Sequence, residues 1–92
     1  MPLTFDEAST LRRNIEFYFS DINLSRDVFL KNKVAEDPNG FVPLSVLLTF
    51  GRVSKLTKDA KELFDAIKDS ETLVLDEQNL SVARKEPMHP AK

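Results

Sequence analysis

The chain has 92 residues, enough for one small domain with a single hydrophobic core. Its 13 Lys and Arg residues oppose 15 Asp and Glu residues, and the net charge of −2 argues against a protein that grips long stretches of nucleic-acid backbone. The absence of cysteine and the single histidine, His89, exclude a disulfide framework, a thiol nucleophile and a histidine-based metal cluster. No apolar run has the length of a membrane span and no secretory signal pattern is recognisable, so we expect an intracellular protein.

The N-terminal third of the chain predicts two helices. Thr4 and Glu7 have the spacing of a helix N-terminal capping box. Apolar residues then recur every three to four positions, as on one face of a helix: Ala8, Leu11, Ile15, Phe19 and Ile22. Ser25 is the next start signal, with Asp27 in the first turn of the helix that it would cap.

The middle of the chain predicts shorter elements. Residues 37–40, Asp-Pro-Asn-Gly, predict a turn, and residues 41–42 predict a short strand. Residues 44–50 predict a short helix, with Gly51 as the residue that caps its C-terminus.

The C-terminal part predicts a helix and a hairpin. Thr57 is the expected cap of a helix whose apolar residues have i, i+3, i+4, i+7 spacing: Ala60, Leu63, Phe64 and Ile67. Residues 72–76 and 80–84 alternate in polarity around a polar turn at residues 77–79, which is the pattern of a β-hairpin. Helices, a short strand and a final hairpin follow one another in the order of a winged helix.

The first predicted helix carries aromatic residues outside its apolar face. At 100° per residue, Phe17 lies about 160° from the centre of that face, so either another element covers it or it is exposed. Tyr18 lies at the edge of the face, and Asn14, Phe17 and Tyr18 share one side at i, i+3 and i+4 spacing. An amide beside two rings suits a site in which a nucleobase stacks and its edge is hydrogen-bonded.

One acidic residue and one group of basic residues each have both a structural and a functional interpretation. Asp27 in the first turn of a helix is stabilised by the helix dipole, which is the more common role of such an acid. Four cations are closely spaced along the second half of the chain: Arg52, Lys55, Lys58 and Lys61. They form either a solvated helix face or a track for phosphates.

Residues 14–30, Asn-Ile-Glu-Phe-Tyr-Phe-Ser-Asp-Ile-Asn-Leu-Ser-Arg-Asp-Val-Phe-Leu, resemble the signature of the La motif family. That signature has an aromatic pair, Phe, a small residue, Asp, an apolar residue and Asn-Leu, followed by Arg-Asp and a segment with Phe-Leu. The similarity continues through residues 40–44 and 50–57. Residues 1–86 are therefore expected to form a La motif, and residues 87–92 a linker to a downstream domain.

The resemblance implies an α+β fold, a winged helix with inserted extra helices and a small three-stranded antiparallel sheet. It also implies a nuclear RNA-binding module that recognises the 3′-terminal oligouridylate, with a free 3′-OH, of nascent RNA polymerase III transcripts. Such binding protects the transcripts from exonucleases and assists RNA folding. The implied partners are single-stranded RNA 3′ ends and an adjacent RNA-recognition motif, and we expect no enzymatic activity, cofactor or metal.

By position, the resemblance places the RNA-binding residues of the family at Asn14, Phe17, Tyr18, Asp27, Phe29, Phe50 and Arg52. Rings at these positions would stack uracils, and the Asp27 carboxylate would accept hydrogen bonds from both hydroxyls of a terminal ribose. The sequence departs from the family pattern at three positions: Asn14 replaces a glutamine, Phe17 a tyrosine and Gly51 an asparagine.

Other functions are compatible with the residues. A related domain of the same family would read other RNA 3′ ends, such as adenylate-rich ones. A winged helix that binds duplex DNA predicts a cationic helix and steep salt dependence. A module that binds a protein partner predicts an apolar patch around Phe17 that is insensitive to RNA.

Overall fold

A computed structural model describes residues 3–85, which form six helices and one small antiparallel sheet. The elements are α1 (Phe5–Tyr18), α2 (Asp21–Leu24), α3 (Val28–Ala35), β1 (Val42–Pro43), α4 (Leu44–Leu47), α5 (Gly51–Ser54), α6 (Ala60–Ile67), β2 (Leu73–Asp76) and β3 (Ser81–Arg84). The strand order is β1-β3-β2, with both pairs antiparallel. The predicted α+β winged helix with extra helices and a three-stranded sheet is therefore confirmed. The predicted linker at residues 87–92 lies outside the described residues.

Helix α1 begins as predicted and ends earlier than predicted. Thr4 and Glu7 form a reciprocal capping box at its start. At its end, the Ser20 hydroxyl donates to the Phe17 carbonyl at 2.7 Å and accepts from the Asn23 N–H at 3.3 Å, so that it closes α1 and caps α2. The chain changes direction there, and the prediction of Ile22 as a core residue was wrong because Ile22 is 66% exposed.

Three predicted helix caps are also corrected. Asp27, rather than Ser25, is the N-cap of α3, and Asp59, rather than Thr57, is the N-cap of α6. Thr57 is buried and its hydroxyl accepts from the Asp59 N–H at 3.2 Å, so it supports the cap residue. Gly51 does not end a helix, because it is the first residue of α5.

The core lies between the helices and the sheet. Leu11 and Ile15 of α1 pack with Leu63 and Ile67 of α6, and all four are fully buried. An ion pair between Arg84 Nη1 and Asp21 Oδ1, 2.6 Å apart but not aligned as a hydrogen bond, joins β3 to α2.

The predicted turn and hairpin are confirmed. Gly40 ends the turn at residues 37–40 with a φ of +78°, a conformation that glycine adopts without strain. The hairpin pairs Leu73 with Arg84 and Asp76 with Ser81. Within residues 3–85, no helix is both long and apolar enough to cross a membrane, and no cluster of three metal-ligating side chains occurs.

Candidate functional site

Four aromatic rings lie next to one another on the protein, contributed by three separate segments. Phe17 and Tyr18 are the last residues of α1, Phe29 is in the first turn of α3, and Phe50 immediately precedes α5. The ring centroids of Phe17 and Tyr18 are 6.4 Å apart, and those of Tyr18 and Phe50 are 4.8 Å apart. The centroids of Phe29 and Phe50 are 6.2 Å apart. We call these four residues the ring cluster.

The inner and outer members of the ring cluster differ in exposure. Tyr18 and Phe50 are half-buried against the core and meet edge to face, with an angle of 82° between their rings. Phe17 is 49% exposed and Phe29 is 52% exposed. The outer rings are therefore available for stacking, whereas the inner rings also support the fold. The alternative that another element covers Phe17 is wrong.

Asp27 stands at the start of α3, two residues before Phe29. Its Oδ1 accepts a hydrogen bond from the Leu30 N–H at 3.0 Å, which fixes the carboxylate as the N-cap. Among residues 3–85, no donor is bonded to Oδ2. The structural role predicted for this acid therefore uses one oxygen and leaves the other able to accept hydrogen bonds from a ligand.

The electrostatics of Tyr18 connect it with Asp27 and Arg52. Burial raises the pKa of Tyr18 above its ordinary value of 10.0. The Arg52 guanidinium opposes this rise, and the Asp27 carboxylate adds to the rise in pKa. The phenol of Tyr18 thus lies within the electrostatic influence of Asp27, two residues before Phe29, and of Arg52, two residues after Phe50.

Tyr18 is the only tyrosine of a chain without tryptophan, so its titration can be observed directly. We expect the tyrosinate absorbance to appear with a midpoint above pH 10.0. Because the folded-state pKa is raised, this group contributes stability below pH 10.0 that is lost as the pH rises through the folded-state pKa.

The charge variants should move this midpoint in opposite directions. Asp27→Asn should lower the pKa of Tyr18, and Arg52→Gln should raise it, because each removes one of the two charges that act on the phenol. A midpoint that is the same in both variants and in the wild type would contradict this arrangement.

Asn14 and Arg52 border the ring cluster with different exposure. Asn14 is half-buried one turn before Tyr18, and within residues 3–85 its side chain has no hydrogen bond. Arg52 is exposed in α5, two residues after Phe50. Both positions are compatible with contact to a ligand that covers the rings.

One positioning residue was missed by the sequence reasoning. The Asn23 amide donates to the Tyr18 carbonyl at 2.9 Å, and the Asn23 carbonyl accepts from the Asp27 N–H at 2.7 Å. Asn23 thereby links the end of α1 to the cap of α3. Its place inside the Asn-Leu pair of the signature was the available signal, but the two hydrogen bonds depend on the turn between the helices.

Two of the four closely spaced cations, Lys61 and Arg52, have different surroundings. Lys61 in α6 pairs with Glu77 of the hairpin turn at 3.4 Å and lies over the ring of Phe64. Helix α6 also carries Glu62 and Asp65, so its charge is not that of a cationic recognition helix. Of the four cations, Arg52 is the one that acts on the ring cluster electrostatically.

A separate cavity of about 460 Å³ lies between α1 and the hairpin. Its charged lining residues include Glu16, Asp21, Glu71 and Arg84, and it contains none of the four rings. The cavity is a depression with a largely charged lining, whereas the ring cluster is a surface on which aromatic faces are partly exposed. Such a surface suits flat groups that stack.

The chain is similar to a known domain family and to several known proteins. A family model described as the La domain matches residues 11–69. A La protein homolog of Aedes albopictus is 44% identical over 85 residues, covering 91% of this chain and 22% of the relative. La-related protein 7 of Danio rerio is 34% identical over 80 residues, covering 87% of this chain and 14% of the relative. The chain thus spans between 14% and 22% of the length of these curated relatives.

Two solved structures have the same fold. The La autoantigen N-terminal domain is 52% identical and superposes with a TM-score of 0.90, covering 95% of both chains. The La motif of the Dictyostelium discoideum La protein is 26% identical with a TM-score of 0.76, covering 96% of this chain and 97% of the other. With the family match over most of the folded region, these similarities show that the chain belongs to the La domain family.

Proposed function

We propose that this domain binds the 3′ end of single-stranded RNA and recognises a terminal oligouridylate with a free 3′-OH. The observation that carries the proposal is the position of Asp27 beside the ring cluster, with one carboxylate oxygen used as a helix cap and the other without a donor among residues 3–85. Membership of the La domain family supports the same function.

The carboxylate gives the proposed site its preference for the end of the chain. A carboxylate oxygen accepts hydrogen bonds from the vicinal hydroxyls of a terminal ribose, and a 3′-phosphate would replace one hydroxyl by a negative charge. Asp27 would repel that phosphate. Recognition of the 2′-OH by the same group would also favour RNA over DNA.

The rings supply most of the proposed affinity. Stacking of a base on an aromatic side chain contributes about 1–3 kcal/mol, and it needs no net positive charge on the protein. Phe17 and Phe29 offer the more exposed faces, with Tyr18 and Phe50 behind them. A protein with a net charge of −2 can therefore bind RNA through this site.

The polar residues around the rings have complementary proposed roles. The Asn14 amide has both a donor and an acceptor for the edge of a uracil. The Arg52 guanidinium would bind a backbone phosphate. Asn14 has a shorter reach than the glutamine common in the family, so its contact is expected to contribute less than those of the rings.

Two rival functions differ in their physical requirements. The mixed charge of α6 disfavours binding of duplex DNA through a cationic helix. A related domain that reads other RNA 3′ ends would use the same rings, because stacking alone distinguishes bases weakly. Base preference is therefore a second variable that the binding experiment must include.

In the cell, we propose that the RNA ligands are nascent RNA polymerase III transcripts in the nucleus. Capture of their uridylate ends would protect them from exonucleases and assist their folding and tRNA processing. The chain spans a small part of its relatives, so we also propose that an adjacent RNA-recognition motif in the whole protein contributes to binding.

A fluorescence titration with matched RNAs tests the proposal. Two ten-nucleotide RNAs ending in four uridines, one with a 3′-OH and one with a 3′-phosphate, should bind with at least about a tenfold difference in favour of the hydroxyl, about 1.4 kcal/mol. The same RNA ending in four adenosines and a DNA version should bind more weakly than the 3′-OH oligouridylate. Equal binding of the two uridylate RNAs would contradict end recognition.

A further inference from the structure

Phe29 has a cation beside its ring that does not belong to the set of family positions. Lys33 lies one turn later in α3, and its Nζ is 5.7 Å from the centroid of the Phe29 ring. The same Nζ is 3.7 Å from Oε1 of Glu36. Lys33 is therefore held next to the exposed ring by Phe29 in its own helix and by Glu36, the C-cap residue of that helix.

The contact between Lys33 and Glu36 is weak enough to be exchanged. Its length exceeds that of a hydrogen bond, and the Glu36 side chain is 64% exposed, against 33% for Lys33. Exposed ion pairs of this kind contribute little because water and salt screen them. A backbone phosphate carries the same single negative charge as Glu36, and a base stacked on Phe29 would hold it beside the ammonium group, so it can replace Glu36 as the partner of Lys33.

We propose that Lys33 is an RNA-contacting residue whose ammonium group moves from Glu36 to the backbone phosphate of the nucleotide stacked on Phe29. This inference rests on the proposed function, since it needs a nucleotide on Phe29. Arg52 acts electrostatically on Tyr18 and follows Phe50 by two residues, whereas Lys33 lies beside Phe29. With Lys33, two different rings of the cluster each have a cation for a phosphate, while Asp27 remains available for the terminal ribose.

The test compares two lysine variants of the 92-residue chain. Lys33→Gln should lower the affinity for the ten-nucleotide RNA with a 3′-OH uridylate end about fivefold at 0.1 M salt, because one phosphate contact to a single strand changes the slope of log K against log salt by about 0.7. The slope should become shallower by that amount. The preference for 3′-OH over 3′-phosphate should stay the same, since Asp27 is unchanged.

Lys31→Gln is the matched control. Lys31 is exposed on the same helix but lies about 200° around it from Lys33, beside residues 37–40 and Arg84. The Lys31→Gln substitution removes the same charge as Lys33→Gln. We expect it to change the affinity by about twofold or less and to leave the slope of log K against log salt close to that of the wild type. Thermal melts of both variants should lie close to the wild type, because Lys31 is exposed and the contacts of Lys33 with Glu36 and Phe29 are a weak ion pair and a partly exposed cation–ring contact.

A third variant tests the exchange of partners. Glu36→Gln removes the competing carboxylate, so it should raise the affinity by about twofold. Equal salt slopes for Lys33→Gln and Lys31→Gln, or a loss of affinity in Glu36→Gln, would overturn the role of Lys33. If the wild type shows no preference for the 3′-OH end, the proposed function itself is wrong, and the role of Lys33 is overturned with it.

Discussion

Asp27→Asn should abolish the preference for RNA with a 3′-OH over RNA with a 3′-phosphate, with the ratio of the two affinities falling to within about twofold of one. The variant removes the negative charge that would repel a 3′-phosphate. It also replaces the free carboxylate oxygen of Asp27 by an NH2 group. That group is a hydrogen-bond donor and cannot accept hydrogen bonds from the two ribose hydroxyls. The measurement is the titration with the matched uridylate RNAs.

The fold should survive this substitution because asparagine is as good an N-cap as aspartate. Its carbonyl oxygen can take the hydrogen bond that Asp27 Oδ1 now accepts from the Leu30 N–H. Asp27→Ala, in contrast, should also lose about 1 kcal/mol of stability. A thermal melt therefore separates the role of the cap from the role in ligand selection.

Asp59→Asn provides the control for charge and capping. Asp59 is the N-cap of α6 and accepts from the N–H groups of Lys61 and Glu62, so the substitution makes the same chemical change at the start of another helix. It should leave the preference for the 3′-OH intact. A loss of preference in this control, or its retention in Asp27→Asn, would contradict recognition of the terminal ribose by Asp27.

The elements that the sequence predicted correctly are those whose signals are local. The capping box at Thr4 and Glu7 and the hairpin at residues 72–84 depend on contacts between residues close in the chain. The helices α2 and α5 have four residues each, about one turn, so they have no apolar period to detect. The first was therefore merged into α1, and the second was not predicted, because Gly51 was taken as the end of the preceding helix.

The cap of α3 shows why the boundary was placed two residues early. Ser25 and Asp27 are both favourable N-cap residues, and their side chains do not decide between them. The Asn23 carbonyl decides, because it accepts hydrogen bonds from the N–H groups of Arg26 and Asp27 and so extends the turn of α2. Helix α3 can begin only after that turn has ended.

The ring cluster was predicted in part from the helix and in part from family resemblance. The adjacency of Phe17 and Tyr18, and the exposure of Phe17, are consequences of the helical phase of α1. The contact of Tyr18 with Phe50 joins distant segments, so no local pattern predicts it. The cation of Lys33 beside Phe29 follows from i, i+4 spacing, but the orientation of α3 decides whether it borders the site.

Phe29→Ala should weaken the binding of 3′-OH oligouridylate by about 5- to 150-fold, the equivalent of one base stacked on an aromatic ring, about 1–3 kcal/mol. Since Phe29 is 52% exposed, the free energy of unfolding should fall by only about 1 kcal/mol or less. Phe5→Ala is the matched control: Phe5 is 85% exposed and lies about 20 Å from Tyr18 along α1. The control should bind RNA like the wild type.

Tyr18 requires a different variant because its ring has two roles. Tyr18→Ala would remove a half-buried ring that meets Phe50 edge to face, so a loss of stability of about 2 kcal/mol would accompany any loss of binding. Tyr18→Phe keeps the ring and should retain most of the affinity, if stacking is the main contribution. For Phe29→Ala, circular dichroism separates the two possible roles of the ring. A large loss of helicity would assign the Phe29 ring to the core, whereas weak RNA binding by a fully helical variant would assign it to the RNA site.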